Sequence, residues 1–245
     1  MKTITIAQQK GGTGKTTTAH AIGAGLKAKG KRVLFVDLDA QANLSFIMGA
    51  KLDGLTILDV LKGKTTAAEA TQTTEAGAII PGTPFLAGAD AELAGKVYVL
   101  AEALKPIGKR YDCCVIDTPP ALGALTVAAL TAADSVIIPC MPDVLSIQAL
   151  AQITETIRGI RASCNPKLKI AGILLTRYTP RQKLTKDTET ILQKAAGCIG
   201  ARLFSTRIRE TVSIREAQAM GKDIYTYSAK SAGAMDYTHL LEEIL

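Results

Sequence analysis

The run Lys10-Gly11-Gly12-Thr13-Gly14-Lys15-Thr16-Thr17 gathers three glycines, two lysines and three hydroxyl side chains within eight residues. Glycines let a turn wrap its backbone N–H groups around a tetrahedral anion, and a lysine at the end of the turn adds a compact positive charge. Lys15 is spaced to reach the outer phosphates of a nucleoside triphosphate, and the Thr16 hydroxyl suits Mg²⁺. A helix opening near Gly14 adds its positive end to the same place. Lys10 is surplus to that scheme, because the loop already has its phosphate lysine, so a second ammonium at its start invites a second role.

Two further segments bring carboxylates. Asp37-Leu38-Asp39-Ala40-Gln41-Ala42-Asn43 follows one apolar run, and Cys113-Cys114-Val115-Ile116 leads into Asp117-Thr118-Pro119-Pro120. Both place acids where a strand ends, which is where ligands bind in open α/β sheets. Strand alternation predicts that Asp37 and Asp39 point the same way. Asp117 is expected to hold Mg²⁺, and the following Thr-Pro-Pro to form a switch that senses the terminal phosphate.

For these groups to converge, their segments must end at one edge of a sheet. Short β-branched or apolar runs at 3–7, 32–36, 113–116, 135–138 and 169–175 alternate with helix-like stretches at 16–29, 122–132 and 146–160. Nearly all-apolar strands in β-α-β-α order predict a mainly parallel sheet covered on both faces, a doubly wound α/β fold of the P-loop NTPase type. Residues 65–78 and 87–94 give weak patterns and read as helix and loop decoration. No internal repeat, charge block or long linker divides the 245 residues, which predicts a single domain over 1–245.

Composition narrows the classes further. With 47% apolar and 21% charged residues the chain is globular. No uncharged apolar run reaches 18 residues, and Met1 leads straight into a strand-like segment, so no membrane-spanning or exported protein is expected. Five cysteines without C-x-x-C spacing and only two histidines point to buried reduced thiols, not a disulfide scaffold or a one-chain metal centre. The net charge of +7 is uneven: residues 1–157 hold 14 basic and 14 acidic side chains, and residues 158–245 hold 15 and 8. Such asymmetry attracts polyanions, with an affinity that falls as salt rises.

The pattern K-G-G-x-G-K-[ST] at residues 10–16 resembles the deviant Walker A motif of the ParA partition ATPases, within the wider MinD and nitrogenase-iron-protein superfamily. Asp37 to Asn43 is similar to that family's D-x-D-P-Q-x-N, and the likeness continues through Cys113 to Pro120, Val136 to Pro142, Gly172 to Tyr178, Ile214 to Gln218 and Ala229-Lys230-Ser231. It thus spans nearly the whole chain. The resemblance implies a single P-loop ATPase domain that binds ATP through residues 10–17 and hydrolyses it weakly with Mg²⁺. It implies a homodimer sandwiching ATP, with Lys10 reaching the partner's phosphates, Lys15 binding its own and Asp39 orienting the attacking water. Thr16, Asp37 and Asp117 are the implied metal set.

The same resemblance implies that the ATP dimer binds double-stranded DNA without sequence preference. A ParB-like centromere-binding partner would stimulate hydrolysis and release, with the protein cytoplasmic and nucleoid-associated. Lys183, Lys186, Arg202, Arg207, Arg209, Arg215, Lys222 and Lys230 lack interleaved aromatics, which suits phosphate-backbone contact better than base stacking. Of these, Lys183, Lys186, Arg209, Arg215 and Lys222 are the chosen DNA contacts. Three departures from the family pattern stand out. Ala40 occupies the usual proline position, Gln8 the usual asparagine, and Arg207-Ile208-Arg209 the usual Ile-Pro-Arg. With the loop starting at residue 10, no helix-turn-helix segment is expected before it.

Other readings stay open. A MinD-like membrane-associated regulator would need a basic amphipathic C-terminal helix, but Tyr237 to Leu245 is short and acidic and reads as a packed final helix with no membrane partner. A cluster carrier would need bridging cysteines, and a kinase an acceptor site. A related ATPase that positions another cargo, such as a protein complex or microcompartment, would use the same chemistry.

Overall fold

The computed structural model describes residues 1–179 and 183–245, apart from the side chains of residues 183–187. Among them, eight strands form one sheet: β1 (Lys2–Ile6), β2 (Val33–Asp37), β3 (Gln72–Thr73), β4 (Ala78–Ile80), β5 (Cys113–Asp117), β6 (Ser135–Cys140), β7 (Lys169–Tyr178) and β8 (Leu203–Arg209). The order is β3-β4-β2-β5-β1-β6-β7-β8, and every pairing is parallel except β3 with β4. In register, Ile6 and Asp37 both pair with Asp117, which brings three strand ends to one edge.

Alternation along the strands divides the core. Ile4, Ile6, Phe35, Val115 and Leu174 face a layer made by α1 (Lys15–Ala28), α2 (Asn43–Ile47), α10 (Val212–Ala219), α11 (Ile224–Ser228) and α12 (Ala232–Ile244). Leu34, Val36, Ile116, Val136, Ile138 and Leu175 face the layer of α3 (Ile57–Leu61), α4 (Ala67–Ala70), α5 (Ala89–Glu92), α6 (Val99–Leu104), α7 (Ala124–Ala132), α8 (Val144–Ser163) and α9 (Lys183–Cys198). Buried on both faces, the central strands have no polar side to show, which is why they read as unbroken apolar runs. The molecule is the doubly wound α/β fold that the sequence predicts.

The helix that carries the phosphate loop sits unusually close to the sheet. A Cβ on Gly23 of α1 would fall inside the van der Waals envelope of the Phe35 ring, so glycine is required there. The final helix packs as expected, with Tyr237, Leu240 and Leu241 buried.

Three strands, β3, β4 and β8, escape the sequence pattern. β4 has three residues, too few to form a run, and residues 65–78 turn out to contain α4, β3 and the first residue of β4. β8 is an edge strand whose Ser205, Arg207 and Arg209 interrupt the apolar positions, so it lacks the continuous signature of its neighbours.

Candidate functional site

The loop between β1 and α1 lies at the C-terminal edge of the sheet. Gly12 and Gly14 have φ of 73° and 81°, left-handed values that glycine adopts without strain. Gly14 is the N-cap of α1, no side chain caps that end and no acid lies in the first turn, so the first N–H groups remain for an anion. Thr176, at the end of β7, fixes the loop from behind, its hydroxyl donating to the Thr13 carbonyl at 2.8 Å. The anchoring role of Thr176 has no signal in the sequence beyond a hydroxyl at a strand end.

A cavity of about 570 Å³ opens over this loop, lined by Gly11, Gly12, Gly14, Lys15, Thr16, Thr17, Asp39, Gln41, Asn43 and Pro120 among others. Lys15 is buried, and its ammonium donates to the Lys10 carbonyl at 3.3 Å. Burial lowers its pKa, an effect opposed by the nearby Asp117 and Asp39 carboxylates. Six of the eight sequence-predicted nucleotide residues, Gly11, Gly12, Gly14, Lys15, Thr16 and Thr17, therefore line one cavity with Asp39, whereas Lys10 and Thr13 do not.

The two strand-end acids differ sharply. Asp117 is fully buried, and neither of its oxygens has a hydrogen bond of normal geometry. Burial and the neighbouring Asp37 push its carboxyl well above the usual range, while the adjacent Thr16 hydroxyl and Lys15 work the other way. Two buried acceptor oxygens without donors, beside a threonine hydroxyl under a phosphate loop, form the oxygen set that a hard divalent cation takes. Asp37 is just as buried, but its oxygens are engaged: Ser45 donates from both N (2.9 Å) and Oγ (2.7 Å), and the Asp39 N–H donates at 3.1 Å. Burial still raises its pKa to about 6. Asp37 thus ties β2 to α2, and Asp117 with Thr16 is the pair that fits a cation.

Asp39 is not on the strand. β2 stops at Asp37, so alternation does not extend to Asp39, which lines the cavity from a turn. Its Oδ1 accepts from the Gln41 N–H at 3.0 Å and its carbonyl from the Ala42 N–H at 2.9 Å. That Asx turn supplies the rigidity that Ala40, in place of proline, does not.

Lys10 is held within its own chain. Its ammonium meets Asp143 at 2.5 Å, and Asp143 also caps α8 by accepting from the Ser146 N–H at 2.9 Å. Burial disfavours the charged acid, but the Lys10 ammonium and Ser146 hold the Asp143 carboxyl below its ordinary value. Around the cavity and beside this pair, Phe46, Val144, Leu145 and Met220 are exposed at 72%, 67%, 64% and 62%, an apolar fringe on the nucleotide face. Gln8, in the usual asparagine position, is buried with its amide on the Cys140 sulfur, and burial pushes that thiol up to about 12.

A second cavity of about 240 Å³ adjoins the first, lined by Thr176, Arg177, Ile208, Arg209, Glu210, Thr211, Ile214, Arg215 and Gln218. The chosen DNA contacts fall differently from one another. Arg209 is bound to Asp236 at 2.7 Å and joins β8 to α12, Arg215 stands at the rim of this second cavity, and Lys222 is exposed just past α10. Lys183 and Lys186 begin α9, and their side chains lie outside the described residues. At the opposite edge of the sheet, a groove of about 1170 Å³ collects Lys2, Arg161, Lys167, Lys169 and Arg202, a cluster that sequence reasoning missed because its members are far apart in the chain.

Comparison with known proteins places this arrangement. Residues 1–170 match the AAA_31 family model, described as an AAA domain. The chain is 36% identical over 249 residues to the chromosome partitioning protein ParA of Myxococcus xanthus, covering 99% of this chain and 87% of that protein. It is similar to a structure described as cobyrinic acid a,c-diamide synthase from Mycobacterium smegmatis with bound ADP and magnesium, at 34% identity and TM-score 0.85, over 99% and 93% of the two chains. It is also similar to a substituted Cyanothece McdA in complex with ATP, at 26% identity and TM-score 0.90, over 99% and 96%.

Proposed function

Since the chain belongs to the ParA/MinD family of P-loop ATPases, with ParA partitioning proteins among its relatives, we propose that it is a Mg²⁺-dependent ATPase whose ATP-bound homodimer binds duplex DNA and positions a cargo on it. The observation that carries the ATPase reading is that Lys15 and Asp39 line the phosphate cavity while the fully buried Asp117 carboxylate acts on Lys15 from close by.

In this reading the triphosphate lies along residues 10–17, where the uncapped α1 N–H groups and the Lys15 ammonium balance its charge. Thr16 and Asp117 would hold Mg²⁺, directly or through water, and the ion offsets charge on the phosphate oxygens when bound. Asp39, fixed by its turn, presents its carboxylate to the cavity and orients the attacking water. The neighbouring 240 Å³ cavity receives the nucleoside. Steady-state phosphate release tests the reading: Mg²⁺-dependent turnover is expected from the wild-type chain and none above background from Lys15→Ala, and equal rates from both would refute it.

Dimerisation is supported by the exposed apolar fringe around the nucleotide face and by Lys10 on that face. For Lys10 to serve a partner's phosphates it must leave Asp143. DNA binding is supported by the excess basic charge of residues 158–245 and by the groove at the far edge of the sheet. There Lys2, Lys167 and Lys169 are exposed and form no ion pair among the described residues, and the one lining carboxylate, Asp134, is engaged by the Thr3 N–H at 2.7 Å. These cations also face the C-terminal ends of α8, α9 and α12, whose dipoles favour positive charge. Such a surface meets the phosphate backbone and reads no sequence. A ParB-like DNA-bound partner would trigger hydrolysis, with the protein cytoplasmic and nucleoid-associated. Among the described residues, no helix is long and apolar enough to cross a membrane. Residues 1–245 act in this reading as a single P-loop ATPase domain.

A further inference from the structure

The phosphate cavity and its smaller neighbour share four lining residues: Gly12, Gly14, Thr17 and Gln218. Two are glycines, so Thr17 and Gln218 supply the shared side chains between the cavities. These two are bonded to each other, although 201 residues apart in sequence: the Gln218 amide Nε2 donates to Thr17 Oγ1 at 2.9 Å. With an acceptor lone pair used toward α10, the hydroxyl keeps its own hydrogen for a bond in another direction, and a hydroxyl that is already accepting is polarised into a stronger donor.

The direction follows from the chain. Lys15 and Thr16 serve the outer phosphates and the cation, and Thr17 is one residue further along α1, where the second cavity begins. The phosphate beside it is the one attached to the nucleoside. We infer that Gln218 is a positioning residue that fixes the Thr17 hydroxyl as a donor to the α-phosphate of a bound adenine nucleotide. The inference rests on the nucleotide reading above. It makes two demands: ADP and ATP are affected alike, because both contain that phosphate, and the effect of Gln218 passes through Thr17.

The experiment is a titration of the full chain with a fluorescent ADP analogue, with the apo melting temperature of each variant measured alongside. Gln218→Met, which keeps the length and packing of the side chain, and Thr17→Val are each expected to weaken ADP binding by about tenfold, the scale of one lost hydrogen bond to a charged group. The double variant is expected to bind no more weakly than Thr17→Val alone, and Thr17→Ser to bind like wild type. Gln218→Glu, which accepts where the amide donates, should weaken binding further, and the part that acts through Thr17 should vanish in the Thr17→Val background. Additive losses, or a Gln218→Met affinity within twofold of wild type, would overturn the inference and leave the nucleotide reading standing. Absence of ADP binding by the wild-type chain would overturn both.

Discussion

At the C-terminal edge of the sheet Asp39 and Asp117 are buried beside Lys15, whereas at the N-terminal edge Lys2, Lys167 and Lys169 stand in solvent. Charge at the first edge is desolvated, closely spaced and dependent on geometry, as Ser45 on Asp37 and the Asx turn of Asp39 illustrate. Charge at the second edge is spread over separate segments and needs no fixed partner. A desolvated site can act on a bound phosphate strongly and at short range, but it costs stability when empty. A solvated one acts weakly per residue and at long range, and it is tuned by salt. One sheet thus holds a chemical edge and an electrostatic edge, and substitutions should separate them.

The largest separation is expected in turnover. Lys15→Ala and Asp39→Ala should each lower ATP hydrolysis by on the order of 10²- to 10³-fold, and a Lys167→Glu/Lys169→Glu pair should leave the DNA-free rate within about twofold. Phosphate release measured on all three checks this, and a large loss from the lysine pair would erase the distinction between the edges.

Next comes duplex affinity. Removing two phosphate-facing cations should reduce the slope of log affinity against log salt by about 2 and weaken binding on the order of tenfold or more at low salt. Unrelated DNA sequences should be affected equally, as a salt series on two random duplexes would show. An unchanged slope would move the DNA face toward Arg215 and Lys222.

Stability should respond in the opposite sense at the chemical edge. The Asp117 carboxyl has a raised pKa in the fold, so its ionised form is a burden above that pKa, and the burden disappears as pH falls below the unfolded value. Asp117→Asn is therefore expected to stabilise the nucleotide-free protein by about 1–2 kcal/mol at neutral pH, with the gain fading toward pH 4. Denaturant unfolding across pH measures it, and a loss of stability at neutral pH would contradict the assignment of Asp117 as a desolvated, unpartnered acid.

The smallest effect concerns Lys10. Asp143→Asn keeps the α8 cap but removes the charge that holds the ammonium at 2.5 Å. Half-maximal dimerisation should then need roughly two- to fivefold less ATP, the scale of a partly exposed ion pair. Light scattering against ATP concentration reads this directly, and an unchanged midpoint would mean that the pair does not restrain Lys10.

Much of the chemical edge is legible in the sequence because it is local: residues 10–17 are contiguous, and Asp117 directly ends an apolar run. The five central strands are legible for the same reason, since burial on both faces leaves no polar alternation. What the sequence hides is made by pairing across the chain. Gln218 acquires meaning only when α10 meets Thr17, Asp143 only when α8 meets Lys10, and the basic groove only when β1, β6, β7 and the end of α12 come together. Asp37 and Asp39 are equally visible as acids, yet the point where β2 stops, one residue before Leu38, gives them different tasks.

The most direct test of the central claim is the affinity of the purified protein for random-sequence duplex DNA, with ATP, with ADP and without nucleotide, across a salt series and with the oligomeric mass measured in parallel. Salt-sensitive binding confined to an ATP-bound dimer is the predicted result. A dimer that forms with ATP but ignores DNA, or a monomer that binds DNA equally in all three states, would contradict it.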